Sequence, residues 1–398
     1  MILPSATEGA TGDPPDHLEP AAHREHEQHK AITMADIAKA AGVSQGAISS
    51  LLNNRDYGIR VSEKTRERVF RVCREMGYVP NDLRAVVRMY PELGGFCVLL
   101  GSDLPELPSD PFQARVISGA MAAIAEAVTI SRYRTEVDYT IDTQALPQPV
   151  TSGTTSKFLL LGKPNPSLCQ TLVTRGFGVA LAGHEAAQTG VTSILPDFAD
   201  ASQTAIDHLF HLGHQRIAIL SGPFGATDYH IIELNRGVRA GYDKANVPIE
   251  AQNIIYGDLT IENGYKALDL LMDRPNPPSA VFCFADAAAA GVIARAQARG
   301  IKVPEELSVV GCSDDALAAH LQPTLTTVHL PAEAIGVTAV TETDRRVRER
   351  DAFPSGARRV LLSVKLVERN SSGPPKSDTG RNAALDGKSS VPESRRPI

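Results

Sequence analysis

Gln45, Gly46, Ser49 and Ser50 recur at a spacing that places them on one side of a helix, opposite Ala47, Ile48, Leu51 and Leu52. Short polar side chains on a helical face can hydrogen-bond to base-pair edges, whose major-groove pattern distinguishes all four pairs. Upstream, Ile37, Ala38 and Ala41 share one apolar face of a first helix, about residues 34–41. Gly42 supplies a turn and Ser44 an N-cap for the second helix. Residues 33–53, TMADIAKAAGVSQGAISSLLN, therefore read as two short helices joined tightly. That shape can set its second helix in a DNA groove. It also fits an ordinary helical hairpin in a larger core.

The elements around this stretch favour the first reading. Residues 63–76, EKTRERVFRVCREM, form a third amphipathic helix, capped by Ser62, with Val69, Val72 and Cys73 inward. Three such helices make a small foldable headpiece. The chain's net charge of −6 alone argues against a nucleic-acid partner. Its distribution reverses that argument. Residues 30–90 hold eleven Lys/Arg against six Asp/Glu, a balance of +5, which leaves −11 for the rest. A basic module on an acidic body suits attraction to phosphates. The loop 54–60, NRDYGIR, offers Arg55, Tyr57 and Arg60 as phosphate contacts, or forms a solvated surface insertion.

Composition bounds the remainder. At 398 residues and 42% hydrophobic content, the chain can support two or three domains with real cores. Five cysteines, Cys73, Cys97, Cys169, Cys283 and Cys312, are odd in number and lack CxxC spacing. They read as small buried hydrophobes of a reducing cytoplasm. No apolar run suits a secretory signal or a membrane span, so a cytoplasmic location is expected. Enzymatic motifs are missing: there is no GxSxG, and Gly162-Lys163-Pro164 lacks the rest of a phosphate loop. His208, His211 and His214 recur every three residues, but His214 reads as a cap at a helix C-terminus. No metal, cofactor or catalytic residue is expected.

Residues 1–30 and 372–398 are rich in Pro, Gly and polar residues, and read as a disordered extension and a disordered tail. Between them, short apolar strands near 96–100, 158–161, 178–181, 216–221, 253–256, 280–284 and 307–310 alternate with helical segments. Among those helices are 112–127, 199–212, 233–245, 261–272, 287–299 and 332–348. This alternation implies parallel sheets covered on both faces, split into two subdomains with a cleft between.

The ordered segments TMADIAKAAGVSQGAISSLLN, VSEKTRERV and MGYVPN resemble the headpiece of the lactose-repressor/galactose-repressor (LacI/GalR) family of bacterial transcription regulators. The resemblance continues through DPFQARVISGA, HLFHLGHQRIAILSG, NRGVRAGY, GIKVPEELSVVG, PTLTTVHLP and KLVERNSS, covering roughly residues 31 to 371. It implies an all-α helix-turn-helix headpiece at 31–79, a hinge at 80–93 and a core at 94–371. That core is an α/β periplasmic-binding-protein-like pair of parallel-sheet subdomains. The chain should cross between the two near residues 183, 315 and 325. The implied protein is a homodimeric repressor of a near-palindromic double-stranded operator, modulated by a small molecule in the core cleft.

The same resemblance distributes roles. Thr33, Ser44 and Ser49, with the Arg-rich loop, would hold phosphates; Gln45, Gly46 and Ser50 occupy base-reading positions, and Asn53 is a further DNA-binding residue. Gly46 and Ser50 are shorter than the usual residues, which implies an unusual operator. In the hinge, Val87 stands where the family wedges a leucine into the minor groove, with Arg84 and Arg88 beside it. In sugar-responsive relatives an Arg, an Asn-Asp pair and an Asp hold ligand hydroxyls; here Val238, Ala285 with Asp286, and Ser313 stand there. Two explanations stay open. The effector is something other than a typical sugar, held by Asp286, Ser313, Arg236 or Arg239, or the effector response has been lost. A cytosolic small-molecule-binding protein of the same core fold is the alternative from a different class.

Overall fold

The computed structural model describes residues 32–53, 61–78, 80, 83–104, 111–124, 128–187, 190–349 and 356–376. The chain divides into two compact units, Met1–Val79 and Pro80–Ile398.

The first unit holds α1 (Met34–Ala41), α2 (Gln45–Asn53) and α3 (Glu63–Met76), with α1 packed on both others. Thr33 and Asp36 form a reciprocal capping box at the start of α1. Ser44 Oγ accepts the Ala47 amide at 3.1 Å, and Ser62 caps α3 through the Thr65 amide. Gly42, at φ 62°, ends α1 in the left-handed region, where a side chain would be strained. Ile37, Ala41, Ile48, Leu52, Val69 and Cys73 are buried, a core for three short helices.

The second unit begins with α4 (Leu83–Met89). A first lobe follows: β1 (Gly95–Gly101), α5 (Pro111–Ala123), β2 (Val128–Tyr133), α6 (Gln148–Ser152), β3 (Thr155–Leu161), α7 (Pro166–Thr174), β4 (Gly178–Ala182) and β5 (Thr192–Pro196). The second lobe runs through α8 (Phe198–His211), β6 (Ile217–Ser221), α9 (Tyr229–Ala245), β7 (Ile254–Tyr256), α10 (Ile261–Met272), β8 (Ala280–Cys283), α11 (Asp286–Ala298), β9 (Ser308–Ser313) and β10 (Thr326–His329). The chain then returns through α12 (Ala332–Arg348) and β11 (Arg358–Leu362) to the first lobe, and ends in the second with β12 (Lys365–Val367).

Each lobe is a six-stranded sheet, ordered β11-β5-β4-β3-β1-β2 and β12-β10-β9-β8-β6-β7. The first sheet is wholly parallel; the second is parallel except for β12, antiparallel to β10. The reason is connectivity. β12 follows β11 with no helix between, so the chain leaves one sheet and enters the other at the same end. The central strands are buried on both faces and their helices cover each sheet from two sides.

Two expectations are corrected. The crossovers lie at 196–198, 329–332 and 362–365, not near 183, 315 and 325. β5 extends the first sheet and β10 the second, so the chain stays in each lobe longer than the resemblance implies. The disordered tail cannot begin at 372. Ser372 donates to Thr326 Oγ1 at 3.0 Å, the Gly373 amide donates to Ser308 Oγ at 3.0 Å, and Lys376 pairs with Glu306. The described residues end at 376.

Candidate DNA-reading helix and interlobe site

Helix α2 buries Ala47, Ile48, Leu51 and Leu52, and that burial fixes which side it exposes. Ser44, Gln45 and Gly46 are exposed, while Ser49 and Ser50 are half-buried. Thr33 is exposed at the start of α1, its hydroxyl engaged with Asp36 at 2.7 Å. The headpiece thus offers one polar helical face and three capped N-termini. Arg55, Tyr57 and Arg60 lie outside the described residues, as do the side chains of Asn53, Arg84 and Arg88.

Val87 departs from its expected role. It is 4% exposed, and its Cγ1 lies 2.9 Å from where a Cβ on Gly94 would stand. A side chain packed so is not a free wedge; α4 would have to lift from Gly94 to present it.

In the second unit, sheet topology locates the ligand crevice. In each sheet the strand order reverses beside one strand, β1 in the first and β6 in the second. Crevices form outside the carboxyl ends of strands at such points. At the first, Asp103 accepts the Lys163 amide at 2.8 Å and so joins the ends of β1 and β3. At the second, Asn235 donates to Ser221 Oγ at 3.2 Å. Between the lobes stand aromatic and imidazole rings. Phe112 packs against the apolar cores of both lobes. His184 meets His230 edge-on at 6.3 Å, and Phe198 lies 5.9 Å from His230. Burial, and secondarily the charge of His184, pushes the His230 imidazole down to about 4.

The expected effector residues do not converge there. Val238 is buried in the second lobe's core. Asp286 is fully buried, accepting the Thr327 hydroxyl at 2.6 Å and the Asp315 amide at 2.8 Å. Burial raises its pKa to about 6 against those hydrogen bonds. It holds the loop after β9 in place and presents no surface to a ligand, which corrects the expectation for it. Arg236 and Arg239 are exposed on α9, with Arg236 paired to Glu233 one turn back. That pairing spends Arg236 on its own helix. Ser313, at φ 136°, is buried, and its carbonyl accepts the Leu330 amide at 3.4 Å.

The residue that gathers this region is Arg115 on α5, which sequence reasoning passed over. Its Nη2 donates to the Leu330 carbonyl at 2.8 Å and its Nη1 to the Asp314 carbonyl at 3.0 Å. Its Nε donates to Glu333 at 3.1 Å, and Asp315 lies 3.7 Å from Nη1. The partners are about 200 residues away in the chain, so no local pattern could announce them.

The three histidines also separate. His208 shares a hydrogen bond with Ser372, while His214 bridges Ser279, Ser308 and the Gly373 carbonyl. His214 therefore does not cap α8 through its ring; its backbone amide does, donating to Leu209. Among the described residues, no three His, Cys, Asp or Glu side chains gather as a metal site, and no helix is long and apolar enough to cross a membrane.

A headpiece with one exposed polar helix, followed by two mostly parallel lobes around a crevice, defines a helix-turn-helix regulator with a periplasmic-binding-protein-like core. The comparisons narrow the class. The family model of bacterial regulatory proteins, lacI family, matches residues 33–81, and that of the periplasmic binding protein-like domain residues 206–372. The HTH-type transcriptional repressor CytR of Escherichia coli (strain K12) is 30% identical over 329 residues, covering 78% of this chain and 88% of CytR. The structure of a transcriptional regulator CelR–cellobiose complex matches with TM-score 0.59 and 26% identity, covering 86% of this chain and 100% of that one. The lac repressor dimer bound to operator and the anti-inducer ONPF shares the fold at TM-score 0.57 and 23% identity, with 86% and 100% covered. The chain belongs to the LacI family of bacterial regulatory proteins, and is a DNA-binding transcription regulator.

Proposed function

We propose that this regulator is a repressor that binds a near-palindromic operator as a homodimer. One observation carries the reading: α2 exposes Ser44, Gln45 and Gly46 while its other face is buried. One headpiece reads a half-site, and two-fold pairing of protomers matches a palindrome. The relative seen with its operator is a dimer, which supports the same arrangement. Thr33, Ser44 and Ser49 position phosphates, with Asn53, Arg55, Tyr57, Arg60, Arg84 and Arg88; Gln45, Gly46 and Ser50 face the bases.

For the cleft, we propose an effector other than a typical free sugar, or none. The guanidinium, carboxamide and carboxylate that hold sugar hydroxyls in sugar-responsive relatives are replaced by Val238, Ala285 and Ser313. Asp286 and Arg236 already have partners. The full chain incubated with fragmented genomic DNA, followed by sequencing of the bound fraction, tests the operator reading. A recurrent near-palindromic site is expected. Binding without an enriched site, with a steep salt dependence, overturns it. Thermal stabilisation by a simple hexose overturns the reading of the cleft.

A further inference from the structure

We propose that Arg115 is a hinge clamp: it holds the two lobes in one arrangement from within the protein, without a ligand in the crevice. Lobe rotation in a two-lobed fold is absorbed at the crossover peptides. Leu330 is one of those peptides, between β10 and α12. Asp314 belongs to the loop after β9, in the second lobe. Arg115 projects from α5, in the first lobe, and holds the carbonyls of both, at 2.8 and 3.0 Å. Any rotation of the first lobe that carries α5 away from Leu330 and Asp314 breaks these bonds.

The grip is built on firm ground at both ends. α5 cannot slide, because Gly119 and Gly336 bring its backbone against α12; a Cβ on either would lie 2.0 Å from a carbonyl oxygen of the other helix. On the far side, the gripped loop is tied to the second lobe three times. Asp286 holds the Asp315 amide, Arg369 donates to Asp314 Oδ1 at 2.7 Å, and His329 Nδ1 lies 2.9 Å from Asp314 Oδ2. The Arg115 side chain is about four-fifths buried, where charge-assisted hydrogen bonds are strong. Ser313, the last residue of β9, leads directly into the clamped loop. The Arg115 guanidinium on the Leu330 and Asp314 carbonyls therefore supplies a lobe-to-lobe link from within the chain. The consequence for DNA affinity rests on the regulatory reading above; the clamp itself does not.

The test measures the distance between the lobes. All five native cysteines are buried, so spin labels can be directed to Gln170→Cys on α7 and Lys266→Cys on α10, both exposed positions. With doubly labelled, full, ligand-free chain diluted into excess unlabelled chain, so that pairs within one protomer dominate, a single narrow distance distribution is expected. Arg115→Met keeps the stem but removes the donors, and should add a second population or broaden the first. Glu333→Gln alters only the contact made inside the first lobe, and should leave the distribution unchanged. The proposal is overturned if Arg115→Met gives the parent distribution, or if Glu333→Gln changes it equally. Should Arg115→Met not fold, Arg115→Lys, which can reach one carbonyl at a time, should broaden it; an unchanged distribution then overturns the clamp. Operator affinity of the same variants is read separately, so a failed clamp and a failed repressor reading give different results.

Discussion

The Thr327 hydroxyl donates to Asp286 Oδ1 at 2.6 Å, which anchors a fully buried carboxylate at the first position of α11. Its other oxygen takes the Asp315 amide, so one side chain joins β10, α11 and the loop gripped by Arg115.

Asp286 makes stability depend on pH. Its pKa is raised from 3.8 to about 6, mainly by burial, so the folded state holds its proton longer than the unfolded chain does. The contribution is complete below the unfolded value and is lost as pH rises through about 6. Asp286→Asn should therefore melt closer to the parent at pH 7 than at pH 4.5. Asp286→Ala strands the hydroxyl and the amide, and should cost about 1–3 kcal/mol in denaturant titrations. A deficit for the Asn variant that grows with pH would contradict the assignment.

Gln45→Ala should change sequence preference. Loss of a bidentate base contact is worth about 1–3 kcal/mol, or roughly five- to 150-fold on the preferred site, with random DNA unaffected. Arg88→Ala should instead weaken specific and random DNA alike and lower the salt slope by about one. Gel shifts on selected and scrambled duplexes separate the two; equal losses on both duplexes for Gln45→Ala remove its base-reading role.

Gly119→Val and Gly336→Val should each destabilise the core. The added Cβ alone would stand 2.0 Å from the Glu333 or Val116 carbonyl oxygen, both backbone atoms that cannot swing away. Overpacking of this kind costs about 1–3 kcal/mol or more. Midpoints of urea unfolding should fall for both, and a parent-like midpoint for either would show that the helices are free to separate.

His214 fastens the end of the ordered chain. Its imidazole titrates below the usual range, chiefly because burial disfavours the cation. A depressed base stabilises above its unfolded value of about 6.5 and loses that contribution as pH falls. His214→Phe should remove this part of the acid sensitivity and loosen residues 371–373. Hydrogen exchange at the Gly373 amide, which Ser308 accepts, should speed up; unchanged protection there argues against the link.

Much of the architecture was legible because local patterns carry it. The bounds of α1, α3, α10 and α12 follow from apolar spacing, the N-cap at Ser62 and the turn glycine at 42. The apolar runs of β1, β3, β4, β6, β8 and β9 announce strands buried on both faces. β2, β5, β10, β11 and β12 were not seen. Some owe their pairing to distant chain: Arg358 in β11 registers with Thr192 in β5, and Leu366 in β12 with Val328 in β10. β5 and β10 carry the chain further into each lobe than the resemblance implies, which puts each crossover later in the chain.

The sequence by itself determined the headpiece, its outward polar face on α2, and the family to which the chain belongs. These depend on helical period and capping within some fifty residues. Only the tertiary structure decided which cleft residues remain for a ligand, since Asp286 and Arg115 find their partners across some thirty to two hundred positions. A hydrogen bond between remote segments leaves no periodic trace in the chain, so Asp286 read as a ligand-binding group until burial and two donors showed it to be structural.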